Sequence, residues 1–198
     1  MEVCIIMNMR KMTKISILSA IATLLMFFEI PLWFAPNFYK IDFSEAAVLI
    51  GAFALGPVSG IAIEFIKIIL ISIIKGSHTF FVGETANFII GCTFVLPAAI
   101  LYKRYKSKRT ALVGMGIGTV FMAAVGSAIN AFVLLPLYAK AFEMPMDQIV
   151  AMGNVVNKNI NSLSTLVFYA VVPFNIIKGI AVSTITFILY KHIRKVLL

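Results

Sequence analysis

The sequence predicts an all-α integral membrane protein, a bundle of six transmembrane helices with both termini in the cytoplasm. Of its 198 residues, 61% are apolar and only 13% are charged, whereas soluble domains average roughly 45–50% apolar residues. The apolar residues fall into runs long enough to cross a hydrocarbon core of about 30 Å, which takes about 20 helical residues. Basic residues gather between these runs. These three observations favour a small polytopic bundle over a soluble fold.

Three basic clumps set the predicted orientation. Short loops rich in lysine and arginine stay in the cytoplasm, and an even number of spans places all three clumps there. The net charge of +9 could also suggest a nucleic-acid partner, but these residues follow no single face that could track phosphates. We therefore expect a lipid bilayer and no nucleic acid around the chain. The clumps are Arg10, Lys11 and Lys14; Lys103, Arg104, Lys106, Lys108 and Arg109; and Lys191, Arg194 and Lys195.

The six predicted spans follow from the apolar runs and the breaks between them. The first run ends beside Trp33, and indoles concentrate at membrane boundaries. The second run, at about 44–74, is too long for one span, and Gly56 and Pro57 break it into two helices. The first of these helices is so short that its neighbours must shelter it. The predicted spans are 14–34, 44–56, 58–75, 84–104, 110–138 and 163–190.

Loops and termini complete the predicted organisation. The whole chain, 1–198, forms one membrane domain, and residues 1–10 form an N-terminal extension. Polar outer loops are predicted at 36–42 and 139–162, and the second contains some helix.

Polar residues inside the predicted spans are the candidates for function, because a charge in hydrocarbon is costly unless it is paired or faces a wet cavity. Glu64 and Lys67 share a face of span 3. They are either a mutually neutralising structural pair or ligand contacts. Asn175 and Lys178 lie near the middle of span 6 with no nearby acid. A lone lysine in that place favours a ligand or cavity role.

Three further polar residues extend this candidate site. Glu84 and Asn87 lie one turn apart at the outer start of span 4, where Glu84 is either a helix N-terminal charge favoured by the macrodipole or a pocket residue. Asn130 lies in the outer half of span 5. If spans 4, 5 and 6 are adjacent, these residues enclose one cavity with Asn175 and Lys178. Amide and ammonium donors among aromatic walls suit a flat ring with a polar edge and hydroxyl groups.

The sequence lacks the motifs of the common enzyme and metal sites. It has no GxxxxGK[ST] stretch, hence no P-loop for ATP hydrolysis. It has no HExxH motif and no Ser/His/acid set on one membrane face, and Cys4 and Cys92 have no metal-ligand neighbours. Gly114, Gly116 and Gly118 lack the spacing of a dinucleotide fingerprint and are better explained by close helix packing. We therefore expect neither an enzyme nor a metal site.

One side of span 1 is unusually small near the inner leaflet. Ser16, Ala20 and Thr23 recur there at helical spacing, and small residues let another helix approach closely. This face either packs internally or receives a partner subunit.

Three motifs give the chain a resemblance to a known family. They are FYKIDFSEAAVLIGAFALGPVSG at 38–60, GETAN at 83–87 and PFNIIK at 173–178. Together they resemble the RibU family, the riboflavin-specific S components of energy-coupling factor (ECF) transporters. Two residues depart from the family: Ala47 stands where the family has proline, and Ser16 replaces an alanine of the family's small face on span 1. The resemblance runs from span 1 to span 6.

The resemblance implies a six-helix, membrane-embedded protein that captures riboflavin from outside the cell. Family members work in the bacterial plasma membrane with a transmembrane T subunit and two cytoplasmic ATPases. Riboflavin is then a transported ligand, and no cofactor is expected. By position, the resemblance assigns hydrogen bonds to the vitamin to Asn130, Asn175 and Lys178.

The same resemblance assigns roles to the other candidates. Glu84 and Asn87 would line the cavity. The loop 36–42 would gate it, with Phe38, Lys40 and Asp42 as substrate-binding residues. The small face of span 1, with Ser16, Ala20 and Thr23, would receive the T subunit.

Two alternatives remain open at this point. An S component for thiamine, biotin or a pantothenate-like acid would share the fold, but it would be expected to carry differently placed contacts such as an arginine within a span, and no predicted span interior holds one. A structural or enzymatic membrane subunit would instead use Asn175 and Lys178 for helix packing.

Overall fold

The computed structural model describes residues 9–36, 38–77, 81–141 and 143–197, with side chains described through Tyr190. These residues form α-helices, two π-helical turns and one two-stranded hairpin. The helices are α1 Met9–Phe27, α2 Ser44–Leu55, α3 Pro57–Lys75, α4 Val82–Tyr105, α5 Lys108–Ile129, α6 Leu135–Ala141, α7 Met146–Val156, α8 Leu163–Leu166 and α9 Val172–Leu197. The strands are β1 Ile30–Pro31 and β2 Lys40–Ile41, and the π turns are Asn130–Leu134 and Val167–Val171.

The first helix ends earlier than the predicted span 14–34. α1 ends at Phe27, and the chain then forms the antiparallel hairpin, in which Pro31 pairs with Lys40. Proline has no amide hydrogen to continue a helical ladder, but it is tolerated on an edge strand. The end of the predicted span is therefore part of the hairpin that covers one end of the bundle.

The second apolar run is a helical hairpin with its break at Gly56. The φ angle of Gly56 is 97°, a conformation open to glycine and strained for other residues, and Pro57 begins α3. α2 has 12 residues, about 18 Å of helix. Every residue from Ser44 through Phe53 is buried, because α1, α3, α4 and α9 pack around this helix. α2 is therefore a core helix.

Close packing of α4, α5 and α9 brings the polar residues of the last three predicted spans together. α5 packs against both α4 and α9. A Cβ added at Gly114 would lie 2.8 Å from the backbone Cα of Ala98 on α4, and one at Gly118 would overlap the carbonyl oxygen of Phe94. Gly116 faces open space. The packing explanation is confirmed for Gly114 and Gly118.

Two π turns interrupt the last two long helices beside polar residues. The first begins at Asn130 and continues α5 into α6. The second ends at Val171, four residues before Asn175. π turns insert an extra residue into a helix and occur frequently at functional sites. Here each one shifts the helical register next to an asparagine.

Four stretches of described helix are long and apolar enough to cross a membrane, and the protein is mostly helical. α1 carries three basic residues near its start and α2 is short, so neither is among the four. Residues 1–8 of the predicted extension 1–10 lie outside the described residues. The helix predicted within the loop 139–162 is α7. The four stretches are Pro57–Lys75, Val82–Tyr105, Lys108–Ala141 and Leu163–Tyr190.

Candidate ligand-binding site

A cavity of about 680 Å³ lies at the end of the bundle that carries the hairpin. α1, α3 and the α5–α6 helix end there, and α4 and α9 begin there. Its volume falls within the roughly 300–1,000 Å³ of small-molecule sites. All eight side chains that the sequence predicts for substrate binding line this one cavity: Phe38, Lys40, Asp42, Glu84, Asn87, Asn130, Asn175 and Lys178.

The two buried asparagines are oriented by the helices that carry them. Asn130 Nδ2 donates to the Gly126 carbonyl at 2.7 Å, and Asn175 Nδ2 donates to the Val171 carbonyl at 2.9 Å. Because a backbone carbonyl can only accept, each amide nitrogen must face its own helix. Within the described chain, each carboxamide keeps a second amide hydrogen that donates to no other residue. Both groups can therefore still donate to a ligand.

Lys178 is paired with two acids from the other half of the chain. Its Nζ lies 3.1 Å from Asp42 Oδ2 and 3.0 Å from Glu45 Oε1. The prediction that Lys178 has no nearby acid is therefore wrong. Asp42 follows the hairpin and Glu45 opens α2, so only the packing of α2 against α9 brings them to this lysine. The pairing makes a buried ammonium tolerable in a spanning helix.

A second lysine lies beneath this pair and outside the cavity lining. Lys67 Nζ is 2.7 Å from Glu64 Oε1 and 3.6 Å from Glu45 Oε1, and it donates to Ser44 Oγ at 3.1 Å. The predicted structural pair of Glu64 and Lys67 is confirmed, and neither side chain lines the cavity. The ligand-contact alternative for this pair is not supported.

Asp42 lies outside the spanning helices and is held as a carboxylate. Burial alone would raise the pKa of Asp42, but the charges of Lys178 and Lys67 and the hydrogen bonds from Ser44 outweigh burial, so its pKa lies below the ordinary value. The Ser44 amide donates to Asp42 Oδ1 at 2.9 Å, and the Ser44 hydroxyl donates to the same oxygen. The sequence places Asp42 two residues before Ser44, the spacing of an Asx-type turn.

The rim of the cavity carries an ion-pair cluster around Glu29. Its two carboxylate oxygens lie 3.2 Å from Lys40 Nζ on β2 and 2.8 Å from Lys75 Nζ at the end of α3. Partial burial raises the pKa of Glu29, but the two lysines outweigh it and the pKa lies below the ordinary value. Glu29 therefore ties the hairpin to the end of α3 across the cavity rim.

Aromatic side chains form one wall of the cavity. The ring centroids of Tyr39 and Phe174 lie 5.3 Å apart, and those of Phe38 and Tyr39 lie 4.7 Å apart. The Tyr39 hydroxyl donates to Asn130 Oδ1 at 2.8 Å, and burial raises the pKa of this phenol. The wall offers π faces beside directed donors, an arrangement that suits a planar heteroaromatic ligand.

Sequence reasoning missed several residues of this site. Glu29 is a charged residue inside the predicted span 14–34 and could have been singled out by the same rule that found Lys178, whereas Lys75 ends the predicted span 58–75 and Tyr39 lies in the predicted loop 36–42. Phe174 and Glu45 stand inside the quoted motifs, and each could have been singled out there. Glu45 follows Asp42 by three residues at the start of a helix, the spacing that places two acids on one side.

The small face of α1 divides into an exposed part and a buried part. Ser16 and Ala20 are exposed. Thr23 is only 4% exposed and donates to the Ser19 carbonyl at 2.8 Å. The prediction that Thr23 contacts a partner is wrong for this structure. Thr23 lies one turn before Met26, which lines the cavity, so this side of the helix end faces the interior of the bundle.

The chain matches a family model over residues 10–190, and the family is described as "ECF transporter, substrate-specific component". The chain belongs to this family. It is therefore a transporter component, and the prediction that it is not an enzyme is confirmed.

Two curated relatives and one solved structure are similar to this substrate-specific component over nearly its whole length. Riboflavin transporter RibU of Staphylococcus aureus (strain TCH60) is 35% identical over 188 residues, 95% of this chain and 92% of the relative. Riboflavin transporter FmnP of Bacillus subtilis (strain 168) is 35% identical over 189 residues, 95% and 94% respectively. A solved structure described as the S component of a bacterial ECF transporter matches with a TM-score of 0.73 and 34% identity, over 95% of this chain and 97% of the other.

Proposed function

We propose that this substrate-specific component binds riboflavin in the 680 Å³ cavity and delivers it across the bacterial plasma membrane. One observation carries the proposal. The side chains that the motif resemblance assigns to riboflavin binding come from the hairpin, α4, the end of α5 and α9, and they line one volume. The names of the two relatives, both riboflavin transporters, support the same ligand.

The chemistry of the cavity matches the parts of riboflavin. The isoalloxazine ring is flat, with carbonyl and imide groups along one edge, and its ribityl chain carries hydroxyl groups. Asn130, Asn175 and Lys178 donate to the polar ring edge, and Tyr39 and Phe174 pack on its faces. Glu84 and Asn87 line the other side of the cavity, where the hydroxyl groups need polar partners.

The loop 36–42 gates this cavity in the proposal. Phe38, Lys40 and Asp42 belong to the hairpin segment that covers the ligand, and Glu29 connects that segment to α3. Opening the hairpin would require breaking the contacts of Lys40 and Tyr39. Riboflavin is the transported ligand, and no cofactor takes part.

Delivery requires partners, because the sequence contains no P-loop. We propose a complex with a T subunit and two cytoplasmic ATPases. Adding α1 and α2 to the four candidate spans gives a six-helix bundle with both termini and all three basic clumps in the cytoplasm, as the charge bias of inner loops favours. Ser16 and Ala20 are exposed on α1 and do not line the cavity, so a T subunit can approach them.

A fluorescence titration tests the ligand. Protein purified in detergent is titrated against riboflavin while the flavin emission is recorded, with thiamine and biotin as competitors. We expect saturable quenching at one riboflavin per chain that neither competitor reverses. A colourless protein that leaves the flavin emission unchanged over the whole titration contradicts riboflavin binding.

A further inference from the structure

Five side chains form a closed ring of polar contacts beneath the floor of the cavity. We call this set the floor ring. Lys178 contacts Asp42 and Glu45, Lys67 contacts Glu45 and Ser44, and Ser44 donates to Asp42. Only Asp42 and Lys178 of the five line the cavity. The floor ring is Asp42, Ser44, Glu45, Lys67 and Lys178.

The floor ring determines what Lys178 can offer to a ligand. An ammonium has three hydrogens, and two of them point to Asp42 Oδ2 and Glu45 Oε1 at 3.1 Å and 3.0 Å. The third is left for an acceptor in the cavity. Two fixed acceptors leave a flexible lysine little freedom, so the direction of this third donor is set by the positions of the two acids.

The balance of charges in the floor ring also indicates that Lys178 acts as a directed hydrogen-bond donor. The floor ring holds two buried carboxyl groups, Asp42 and Glu45, and two buried lysines, Lys67 and Lys178, so its formal charge is zero. Lys178 is thus fully compensated from below, so it acts as a directed hydrogen-bond donor. A neutral carbonyl acceptor suits such a group better than an anion does, because the lysine charge is already balanced and an added anion would face the Asp42 carboxylate in the cavity lining.

Glu45 is the only carboxylate of the described chain within ion-pair distance of both lysines. Its side chain is 2% exposed and it does not line the cavity. Lys178 is the cavity-lining residue that Glu45 contacts directly, whereas the path from Glu45 to Asp42 on the other side of the ring runs through Lys67 and Ser44. Lys67, with Glu64 as its second partner, supports Glu45 from the opposite side.

We propose that Glu45 is a positioning residue of the binding site, which aims the Lys178 ammonium at a neutral acceptor of the ligand. The proposal rests on the proposed function, because it takes Lys178 to contact riboflavin. Under this proposal, residues behind the cavity wall influence riboflavin affinity through their charges and hydrogen bonds as well as through their packing.

A double-mutant cycle tests this role. Riboflavin affinity is measured by fluorescence titration for the wild type, Glu45→Gln, Lys178→Met and the double variant, all purified in detergent. We expect losses of about tenfold for each single variant. In the Lys178→Met background, Glu45→Gln should cost less than about threefold, because no ammonium remains to be positioned. Glu45→Asp should restore part of the affinity that Glu45→Gln loses.

Two further variants separate positioning from folding. Glu64→Gln removes a buried carboxylate that contacts Lys67 but not Lys178, and we expect it to lower the melting temperature with a loss of affinity below about threefold. If Glu45→Gln does not fold, the pair Glu45→Gln with Lys67→Met keeps the network at the same net charge, and the cycle with Lys178→Met is measured on that pair.

The outcomes distinguish the two proposals. A wild type that does not bind riboflavin overturns the proposed function. A wild type that binds, with losses at Glu45 and Lys178 that multiply in the double variant, overturns the positioning role alone. An unchanged affinity in Lys178→Met overturns the positioning role as well, because the ligand then makes no use of the ammonium.

Discussion

The Tyr39 hydroxyl donates a hydrogen bond of 2.8 Å to the side-chain oxygen of Asn130. Both side chains are buried, and the bond joins the hairpin segment to the π turn at the end of α5. The chain segment proposed to cover the ligand therefore also orients one of the groups proposed to bind it. The Tyr39–Asn130 hydrogen bond therefore connects a proposed ligand contact to the segment that is proposed to close over the ligand.

Replacing Asn130 with alanine should weaken riboflavin binding at least tenfold, a loss of about 1.4 kcal/mol. The substitution removes a buried amide donor and the partner of Tyr39. Tyr39→Phe, which removes only the orienting bond, should cost less. Affinities from fluorescence titration measure both effects. Asn159→Ala alters an exposed loop residue as a control, and equal affinities for Asn130→Ala and this control would show that the site is misplaced.

Replacing Glu29 with glutamine should speed the release of riboflavin about two- to fivefold. The change removes the charge that ties Lys40 of the hairpin to Lys75 of α3, and partly exposed ion pairs of this kind contribute about 0–1 kcal/mol each. Release rates are measured at pH 7 by displacement in a stopped-flow instrument. Because the pKa of Glu29 lies below its ordinary value, both ion pairs are present at that pH and are lost only as the pH falls into the acidic range.

Glu143→Gln is the control for this measurement. Glu143 is an exposed acid of the outer loop and does not line the cavity. If release from Glu29→Gln is as slow as from the control, the rim ion pairs do not hold the hairpin closed.

Eight of the residues that line the cavity could be predicted from the sequence, whereas the acids that pair with Lys178 could not be identified as its partners. A polar residue inside an apolar span is conspicuous in the sequence, and this made Asn130, Asn175 and Lys178 visible. Asp42 lies 136 residues before Lys178, and their contact depends on how α2 packs in the core. Composition and periodicity do not determine such a long-range arrangement.

The small face of α1 shows a second limit of prediction from the sequence. Helical periodicity places Ser16, Ala20 and Thr23 on one side, but it does not say which part of that side the rest of the bundle covers. The bundle buries Thr23 and leaves Ser16 and Ala20 exposed. The predicted end of the first span also differs from the structure, because residues that hydropathy assigns to a helix form a hairpin around Pro31.

Replacing Gly118 with alanine should destabilise the protein by about 1–3 kcal/mol, the usual cost of overpacking. The new Cβ would overlap the backbone oxygen of Phe94 on α4, so two helices must separate. Gly116→Ala is the matched control two residues away, because Gly116 faces open space. Melting temperatures in detergent give the comparison, and equal values for the two variants would contradict the close approach of α4 and α5.

Replacing Ala20 with tryptophan should abolish riboflavin uptake by cells that contain the partner subunits, while the purified variant keeps its riboflavin affinity. The bulky side chain would stand on the exposed face of α1 that is proposed to meet the T subunit. Ala124→Trp places the same side chain at an exposed alanine of α5 as a control. Uptake by Ala20→Trp at the level of that control would exclude this docking surface.

The most direct test is an experimental structure of the protein with riboflavin bound. The isoalloxazine ring should occupy the cavity between the hairpin, α4, α5 and α9, with its polar edge within hydrogen-bond distance, about 3.2 Å, of Asn130, Asn175 and Lys178. A ring bound outside this cavity, or one whose polar edge contacts none of these three side chains, would contradict the proposed site.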